Sequence, residues 1–498
     1  MARLSVVDLL STVFDHVVHW ELPVDDPAIT AGYRAELESA RARTGRDESI
    51  LAGEGMLRGR RVAWVAGDPA FLLGSIGIAA GVRLTAALER ATAERLPVIG
   101  FPVGGGTRMQ EGTVAFLQMV KITGAVMAHK AEDLPYLVYL RHPTMGGVFA
   151  SWGSLGHVTL AEPGALVGFL GPRVYEALYG EAFPTGVQLS DNLAERGVID
   201  AICPPEALGE ALDRLLTVLL ARTETGLTSE ANAVAPADAA PVLLPDVPAW
   251  ESVLRTRRGD RPGVRELLAM AATDVTMLNG TGDGESDPGS VLALARFGEA
   301  PCVVVGQDRL RQDEPLGPAA LREVRRGIRL ARELRLPLVS VIDTPGAALS
   351  KEAEERGIAP EIARTLSELL TLPTPTVSLL MGQGAGGIAL ALNPADRVLA
   401  SQHAWLAPLP PEGASAIMHR TTERAAEVAT LQGIRSVDLL AAGIVDRVVP
   451  EPDDPASDAE AFCGALGAAL REELLRVMAV PREERRAARA RRYRELGT

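Results

Sequence analysis

An internal repeat is the strongest constraint on how this chain folds. Ala86–Gly106 (AALERATAERLPVIGFPVGGG) matches Arg326–Ala347 (RGIRLARELRLPLVSVIDTPGA) in kind: a charged amphipathic helix, an RLP triplet, then an apolar run ending in a glycine-containing turn. The RLP triplets begin at Arg95 and Arg335, 240 residues apart. The following strand and turn repeat too. PYLVYLRHPTMGGVFAS from Pro135 pairs with PTVSLLMGQGAGGIALAL from Pro375, and Gly146-Gly147 and Gly386-Gly387 keep the 240-residue offset. RGVIDAI from Arg196 and AGIVDRV from Ala442 follow at an offset of 246. Three ordered matches at nearly constant spacing predict a tandem duplication of one α/β unit.

The 498-residue length alone admits two to four domains; the repeat narrows this to two. Arg222–Pro248 is rich in Ala, Pro, Ser and Thr without sustained periodicity, which predicts a linker. The expected division is therefore 1–221, a 222–248 linker, and 249–498. Helices are expected within 1–50 and at the arginine-rich end, where Pro481 interrupts the pattern and the arginines line a solvated face. Within each half, short apolar strands (RVAWVAG, LPVIGFPV, LPYLVYL; CVVVGQD, LPLVSVID, TPTVSLLM) alternate with helical stretches. That pattern predicts buried parallel strands, with functional loops at their carboxyl ends.

Charge and cysteine content exclude several classes. With 50 Lys+Arg against 64 Asp+Glu the formal charge is −14, which disfavours nucleic acid and anionic membrane surfaces as partners. All but three of the basic residues are arginine, the lysines being Lys121, Lys130 and Lys351. The three cysteines (Cys203, Cys302, Cys463) are widely spaced, excluding a disulfide framework or a four-cysteine zinc ribbon; core filling is expected of each. The first 21 residues lack a signal-peptide pattern, and no apolar run is long enough to span a membrane, so a cytoplasmic protein is expected.

Four glycine-rich turns follow apolar strands: Gly104–Gly106, Met145–Gly147, Thr344–Gly346 and Gly382–Gly387. Glycine admits close approach to the main chain, and a helix start leaves N–H donors unpaired. Two such donors suit a developing oxyanion. None of the turns has the pattern of a P-loop or a dinucleotide-binding turn. Of the histidines (His16, His19, His129, His142, His157, His403, His419), none sits in HExxH and no GxSxG is present, so structural or exposed roles are expected. Glu111 is open to two readings, a base or an acid in a helix first turn, the second preferred. Oxyanion donors without a base suggest that the substrate or cofactor supplies the base.

GGGTRMQEGTVAFLQMVK (Gly104–Lys121), HPTMGGVFASWGSLGHVTLAEPGALVGFLGPRV (His142–Val174) and RGVIDAI resemble the carboxyltransferase β subunit of acetyl-CoA carboxylase. AWESVLRTRRGDRP, LGPAALREVRRGIRLARELRLPLVSVIDTPGA, AEERG, GQGAGGIAL, PPEGASAIM and the terminal RRYRELG resemble its α subunit. The resemblance implies tandem crotonase-like α/β domains of the ClpP/crotonase superfamily, built from spiral ββα units. It implies transfer of CO2 between carboxybiotin, held on a separate carrier protein, and an acyl-CoA, acetyl-CoA giving malonyl-CoA. In that scheme the biotin ureido enolate takes the acyl α-proton, and both enolates need oxyanion holes.

By motif position the resemblance places Gly105 and Gly106 at the acyl-CoA thioester, with Gly146 and Gly147 shaping that pocket. Gly386 and Gly387, with the Ile388 amide, face the biotin urea carbonyl. Arg108, Lys121 and Arg173 are candidate contacts for CoA phosphates, with salt-bridged surface roles as the alternative. A biotin carboxylase and a biotin carboxyl carrier protein are the implied partners, no metal is implied, and a homo-oligomer follows because such sites form where a β-type unit meets an α-type unit. No biotinyl-lysine motif surrounds Lys121 or Lys130.

Three departures from the family stand out: no zinc ribbon, Ala348–Glu352 in place of a glycine-rich loop, and Thr107 where the family has alanine. Two other readings stay open, a malonyl-type decarboxylase component and a non-catalytic scaffold of the complex.

Overall fold

The computed structural model describes residues 3–22, 31–169, 176, 181–224, 245–312, 315–348 and 350–494. The chain divides into two compact units, one of residues 1–213 with 282–284, the other of residues 214–281 with 285–498. The boundary expected at 221 falls inside a helix, Pro205–Glu224. Most of the expected linker, residues 225–244, lies outside the described residues.

The first unit is built on a seven-stranded sheet. Its strands are β1 (His16–His19), β2 (Ile50–Leu57), β3 (Arg60–Gly67), β4 (Val98–Phe101), β5 (Tyr136–Leu140), β7 (Val158–Ala161) and β9 (Ala201–Ile202), in that spatial order. β1 to β3 pair antiparallel, and every later neighbour pairs parallel. β6 (Thr144–Met145) and β8 (Val167–Gly168) form a separate two-stranded ladder. Arg58 and Gly59, both at positive φ, close the β2–β3 hairpin in the mirror-turn geometry that matches strand twist.

The second unit repeats this topology strand for strand. Its order is β10 (Thr273–Leu278), β11 (Ser290–Phe297), β12 (Ala300–Gln307), β13 (Leu338–Thr344), β14 (Thr376–Ala385), β15 (Arg397–Ser401) and β17 (Arg447–Val449), with β16 (Trp405–Ala407) paired to β14. Again two antiparallel pairings precede four parallel ones. β12, β13 and β14 are buried along their whole length, as strands covered on both faces must be.

The duplication extends to single hydrogen bonds. Helices Ile78–Ala93 and Pro318–Glu333 are both 16 residues long and 240 residues apart. Each ends through an arginine in the left-handed conformation, Arg95 (φ 53°) and Arg335 (φ 52°). The next N–H then closes the turn, Leu96 to the Ala91 carbonyl and Leu336 to the Ala331 carbonyl. At the later match, Asp200 Oδ2 accepts from the Thr159 N–H at 2.8 Å and Asp446 Oδ2 from the Val398 N–H at 2.7 Å. All three cysteines are buried and outside any disulfide, as expected of core fillers. Among the described residues no helix is long and apolar enough to cross a membrane.

Candidate active site

Beyond β4 the chain cannot continue as a strand, because Gly104 and Gly106 take φ of 135° and 102°. The Gly104 N–H donates to the Pro143 carbonyl (2.7 Å) and its carbonyl accepts from the Met145 N–H (2.9 Å), which locks this turn to the one entering helix Gly146–Phe149. The lock brings the two sequence-distant glycine pairs together. A Cβ on Gly106 would stand 3.1 Å from the Gly147 nitrogen, and one on Gly146 would stand 3.3 Å from the Gly105 carbonyl oxygen. Only glycine leaves that gap open.

The donors in the gap differ in availability. The Gly105 N–H is spent on the Leu73 carbonyl at 3.3 Å, whereas the Gly106 N–H makes no hydrogen bond among the described residues. The Gly147 N–H belongs to a helix first turn, where no acceptor exists four residues back. Around them stand Met145, Met119 and Thr107, and no acid or histidine is among the nearest atoms.

The cations expected at CoA phosphates fare differently. Arg108 must be corrected. Its side chain is 1% exposed and forks onto Glu48 (Nη1 to Oε2 2.8 Å, Nη2 to Oε1 2.5 Å), so it is a buried structural cation rather than a phosphate contact. Sequence cannot tell the two roles apart, since Glu48 lies 60 residues away. Lys121 is exposed on helix Gly112–Ala131 and forms no ion pair among the described residues. Arg173 lies outside the described residues.

Glu111 lies in the short turn Met109–Glu111 just before helix Gly112–Ala131, and its Oε2 accepts from the Ile78 N–H at the start of helix Ile78–Ala93. The histidines nearest the glycine turns are structural. His142 Nδ1 accepts from the Leu166 N–H (3.0 Å), His157 Nδ1 from the Tyr136 N–H (3.0 Å), and His403 sits against Ser252 and Arg255. Burial drives the His129 pKa down to about 4, keeping it neutral between Thr92 and the Pro135 carbonyl.

The second unit repeats the helix-start half of this arrangement. Gly386 (φ 73°) opens helix Gly386–Leu392, so the Gly387 and Ile388 amides are first-turn donors. Gln307 Nε2 donates to the Ile388 carbonyl at 3.0 Å and steadies that turn. The other glycines of GQGAGG are there for packing. A Cβ on Gly382 would fall 2.5 Å from Asp343 Oδ1, and one on Gly384 would fall 2.8 Å from the Trp405 carbonyl. Asp343, fully buried, accepts from the Gln383 N–H (2.9 Å) and pairs with Arg309 (3.2 Å). Burial pushes its carboxyl up while the guanidinium opposes the shift. That pair gave no sign in the sequence beyond the DTPG motif itself.

In the departing loop, Ala348 donates its N–H to the Leu316 carbonyl, and Ser350 caps helix Lys351–Glu355 through the Ala353 N–H (3.1 Å). Leu349 lies outside the described residues. Lys351 is 86% exposed and faces Glu355 at 3.5 Å. A cavity of about 620 Å³ opens beside this loop, bordered by Ser350, Ala348, Arg311, Arg356 and Asp287. No cluster of three His, Cys, Asp or Glu side chains that could hold a metal occurs among the described residues.

The carboxyl transferase domain family matches residues 29–487. A probable biotin-dependent acyl-coenzyme A carboxylase beta3 subunit of Mycobacterium tuberculosis is 56% identical, over 100% of this chain and 99% of its own length. The acetyl-coenzyme A carboxylase carboxyl transferase subunits beta/alpha of Salinispora arenicola are 36% identical, over 93% of this chain and 84% of theirs. Among solved structures, a chain of transcarboxylase 12S superposes with a TM-score of 0.73 at 19% identity, covering 94% of this chain and 90% of that one. The tandem crotonase-like fold is thereby established, and the chain belongs to the carboxyl transferase family of biotin-dependent carboxylases.

Proposed function

We propose that this chain is the carboxyltransferase component that moves CO2 from carboxybiotin, held on a separate biotin carboxyl carrier protein charged by a biotin carboxylase, to a short acyl-CoA. Acetyl-CoA, giving malonyl-CoA for fatty acid synthesis, is the first acceptor to test. The observation behind this reading is the paired-glycine gap of Gly106 and Gly147, together with a second glycine-led helix start at Gly386–Gly387 of the other unit. The Gly106–Gly147 gap suits the thioester oxygen of the acyl-CoA, and the Gly386 helix start suits the urea oxygen of biotin.

In this reading the Gly106 and Gly147 amides bind the thioester oxygen and strengthen their hold as it gains charge, each worth about 3–4 kcal/mol in the transition state. Gly105 and Gly146 shape the gap. The Gly386, Gly387 and Ile388 backbone orients the urea group. Bound carboxybiotin supplies the CO2, and with only main-chain, Met, Thr and Ile atoms nearest the glycines, the acyl α-proton leaves to a group that the substrates bring. Lys121, exposed on its helix, is the remaining described candidate for a CoA phosphate.

A homo-oligomer belongs to the proposal. Val114 (56%), Phe116 (61%) and Val120 (68%) stand exposed on helix Gly112–Ala131 directly after the first glycine gap, an apolar patch that suits burial against another copy. A cytoplasmic setting suits three buried cysteines that form no disulfide among the described residues.

The test is a panel of acyl-CoAs incubated with biotin carboxylase, biotinylated carrier protein, ATP and labelled bicarbonate. Label fixed on acetyl-CoA or another short acyl-CoA supports the proposal. A folded chain that joins the complex yet fixes label on no acyl-CoA contradicts it and favours a scaffold.

A further inference from the structure

The Gly104–Gly106 turn lies on a second turn of an unusual kind. Leu72, Leu73 and Gly74 are three successive left-handed residues, with φ of 45°, 56° and 67°. Leucine avoids this conformation because its Cβ crowds the following carbonyl, so the surroundings must impose it. The two turns are tightly apposed. Gly105 donates to the Leu73 carbonyl, Ile76 donates to the Gly106 carbonyl (2.8 Å), and Arg108 returns its N–H to the Ile76 carbonyl (2.9 Å). A Cβ on Gly104 would lie 2.2 Å from the Gly74 oxygen. Where the Leu72–Gly74 turn sits therefore decides where the Gly106 N–H points.

One guanidinium bonds to the end of the left-handed turn and to the acids around it. Arg108 Nη2 donates to the Ser75 carbonyl at 2.7 Å and Nε to Ser75 Oγ at 3.2 Å, directly after the left-handed turn. Its other face takes the Glu48 fork, and Nη1 reaches the Tyr33 hydroxyl at 3.3 Å. Tyr33 in turn donates to Glu111, which accepts the Ile78 N–H. The Arg108, Glu48 and Glu111 side chains are 1%, 3% and 2% exposed. Burial and the neighbouring Glu111 push the Tyr33 hydroxyl up, so it remains a donor throughout the neutral range.

We propose that Arg108 is a positioning residue: with Glu48, Tyr33 and Glu111 it clamps the Leu72–Gly74 turn beneath Gly104–Gly106 and thereby aims the Gly106 N–H at the reacting oxygen. The functional consequence rests on the carboxyltransferase reading; the clamp itself does not. Only a planar fork can serve Ser75, Glu48 and Tyr33 at once, so lysine keeps the charge and loses the geometry.

The test compares Arg108→Lys and Tyr33→Phe with the parent, using Thr92→Val as a control that loses a buried contact to His129 (2.9 Å) far from the turn. Amide hydrogen exchange of the 72–76 and 104–108 segments reads the clamp directly. Faster exchange in both segments of Arg108→Lys, absent in Thr92→Val, is expected; unchanged exchange overturns the proposal whatever the activity. In the malonyl-CoA and biocytin reaction, Arg108→Lys is expected to lose about 10- to 100-fold in kcat with KM for malonyl-CoA within about twofold, as misaimed donors act on the transition state more than on binding. Tyr33→Phe loses a smaller factor in the same way. A folded Arg108→Lys with parental kcat, or one whose kcat merely tracks its lowered Tm as in Thr92→Val, also overturns it. Where Arg108→Lys does not fold, Tyr33→Phe decides, and parental exchange in both segments counts against the clamp. A parent with no turnover contradicts the function proposed above and leaves the exchange result to judge the clamp.

Discussion

Gly106→Ala puts the proposed oxyanion site to a quantitative test. Its added methyl would stand 3.1 Å from the Gly147 nitrogen and 3.6 Å from the Gly146 Cα, inside the gap the thioester oxygen is to occupy. The φ of 102° is also one that alanine resists. Two separate costs follow. Relaxing the backbone strain is expected to lower stability by about 1–3 kcal/mol, which a thermal melt reads. Blocking or turning one donor removes about 3–4 kcal/mol of transition-state stabilisation, a fall of roughly 10²- to 10³-fold in kcat. Steady-state turnover of malonyl-CoA with biocytin separates kcat from KM, and the melt confirms that the variant is folded at the assay temperature. A folded Gly106→Ala with kcat within about threefold of the parent would refute the donor assignment.

Three further outcomes are expected. Glu323 is buried, and its folded-state pKa is raised from 4.5 to about 7, mainly by desolvation. Its neutral form is thus favoured on folding, and the stability it contributes is complete below pH 4.5 and lost as pH rises through 7. The difference corresponds to about 3 kcal/mol, so Glu323→Gln should flatten the decline in Tm between pH 5.5 and 8, and a variant declining in parallel with the parent contradicts it. His129 behaves oppositely: its pKa lies near 4 in the fold, so its contribution is present above 6.5 and lost as pH falls toward 4, and His129→Gln should resist acid unfolding better than the parent. Gly464 lies exposed in helix Ala459–Ala479 with nothing within 4 Å of an added Cβ, so Gly464→Ala should gain about 0.5–1 kcal/mol in a denaturant titration at unchanged turnover.

Much of the fold was legible because a duplication leaves paired marks. The RLP triplets predicted equivalent helix ends, and Arg95 and Arg335 do share a left-handed φ. The Gly146 and Gly386 positions both open helices from a positive φ. What sequence could not supply was contact between distant segments. Nothing in GGGTRMQ tells whether Arg108 faces solvent or Glu48, and the answer depends on a bend before β2, 60 residues earlier. Nor does the string Leu72-Leu73-Gly74 announce a left-handed turn, because leucine does not choose that conformation and the contacts around it lie elsewhere in the chain. Gly105 and Gly106 look equivalent as letters; only the Leu73 carbonyl distinguishes the engaged amide from the open one. Glycine runs likewise conceal their division of labour, since Gly382 and Gly384 make room for Asp343 and Trp405 while Gly386 opens the helix.

The most direct test of the central claim uses the purified chain alone, without ATP or biotin carboxylase. Malonyl-CoA is supplied with biocytin, and acetyl-CoA formation is followed with and without the biotin compound. The carboxyltransferase account predicts acetyl-CoA production that depends on biocytin, saturates in malonyl-CoA, and collapses in Gly106→Ala. A folded, oligomeric chain that consumes neither malonyl-CoA nor methylmalonyl-CoA in the presence of biocytin would contradict it.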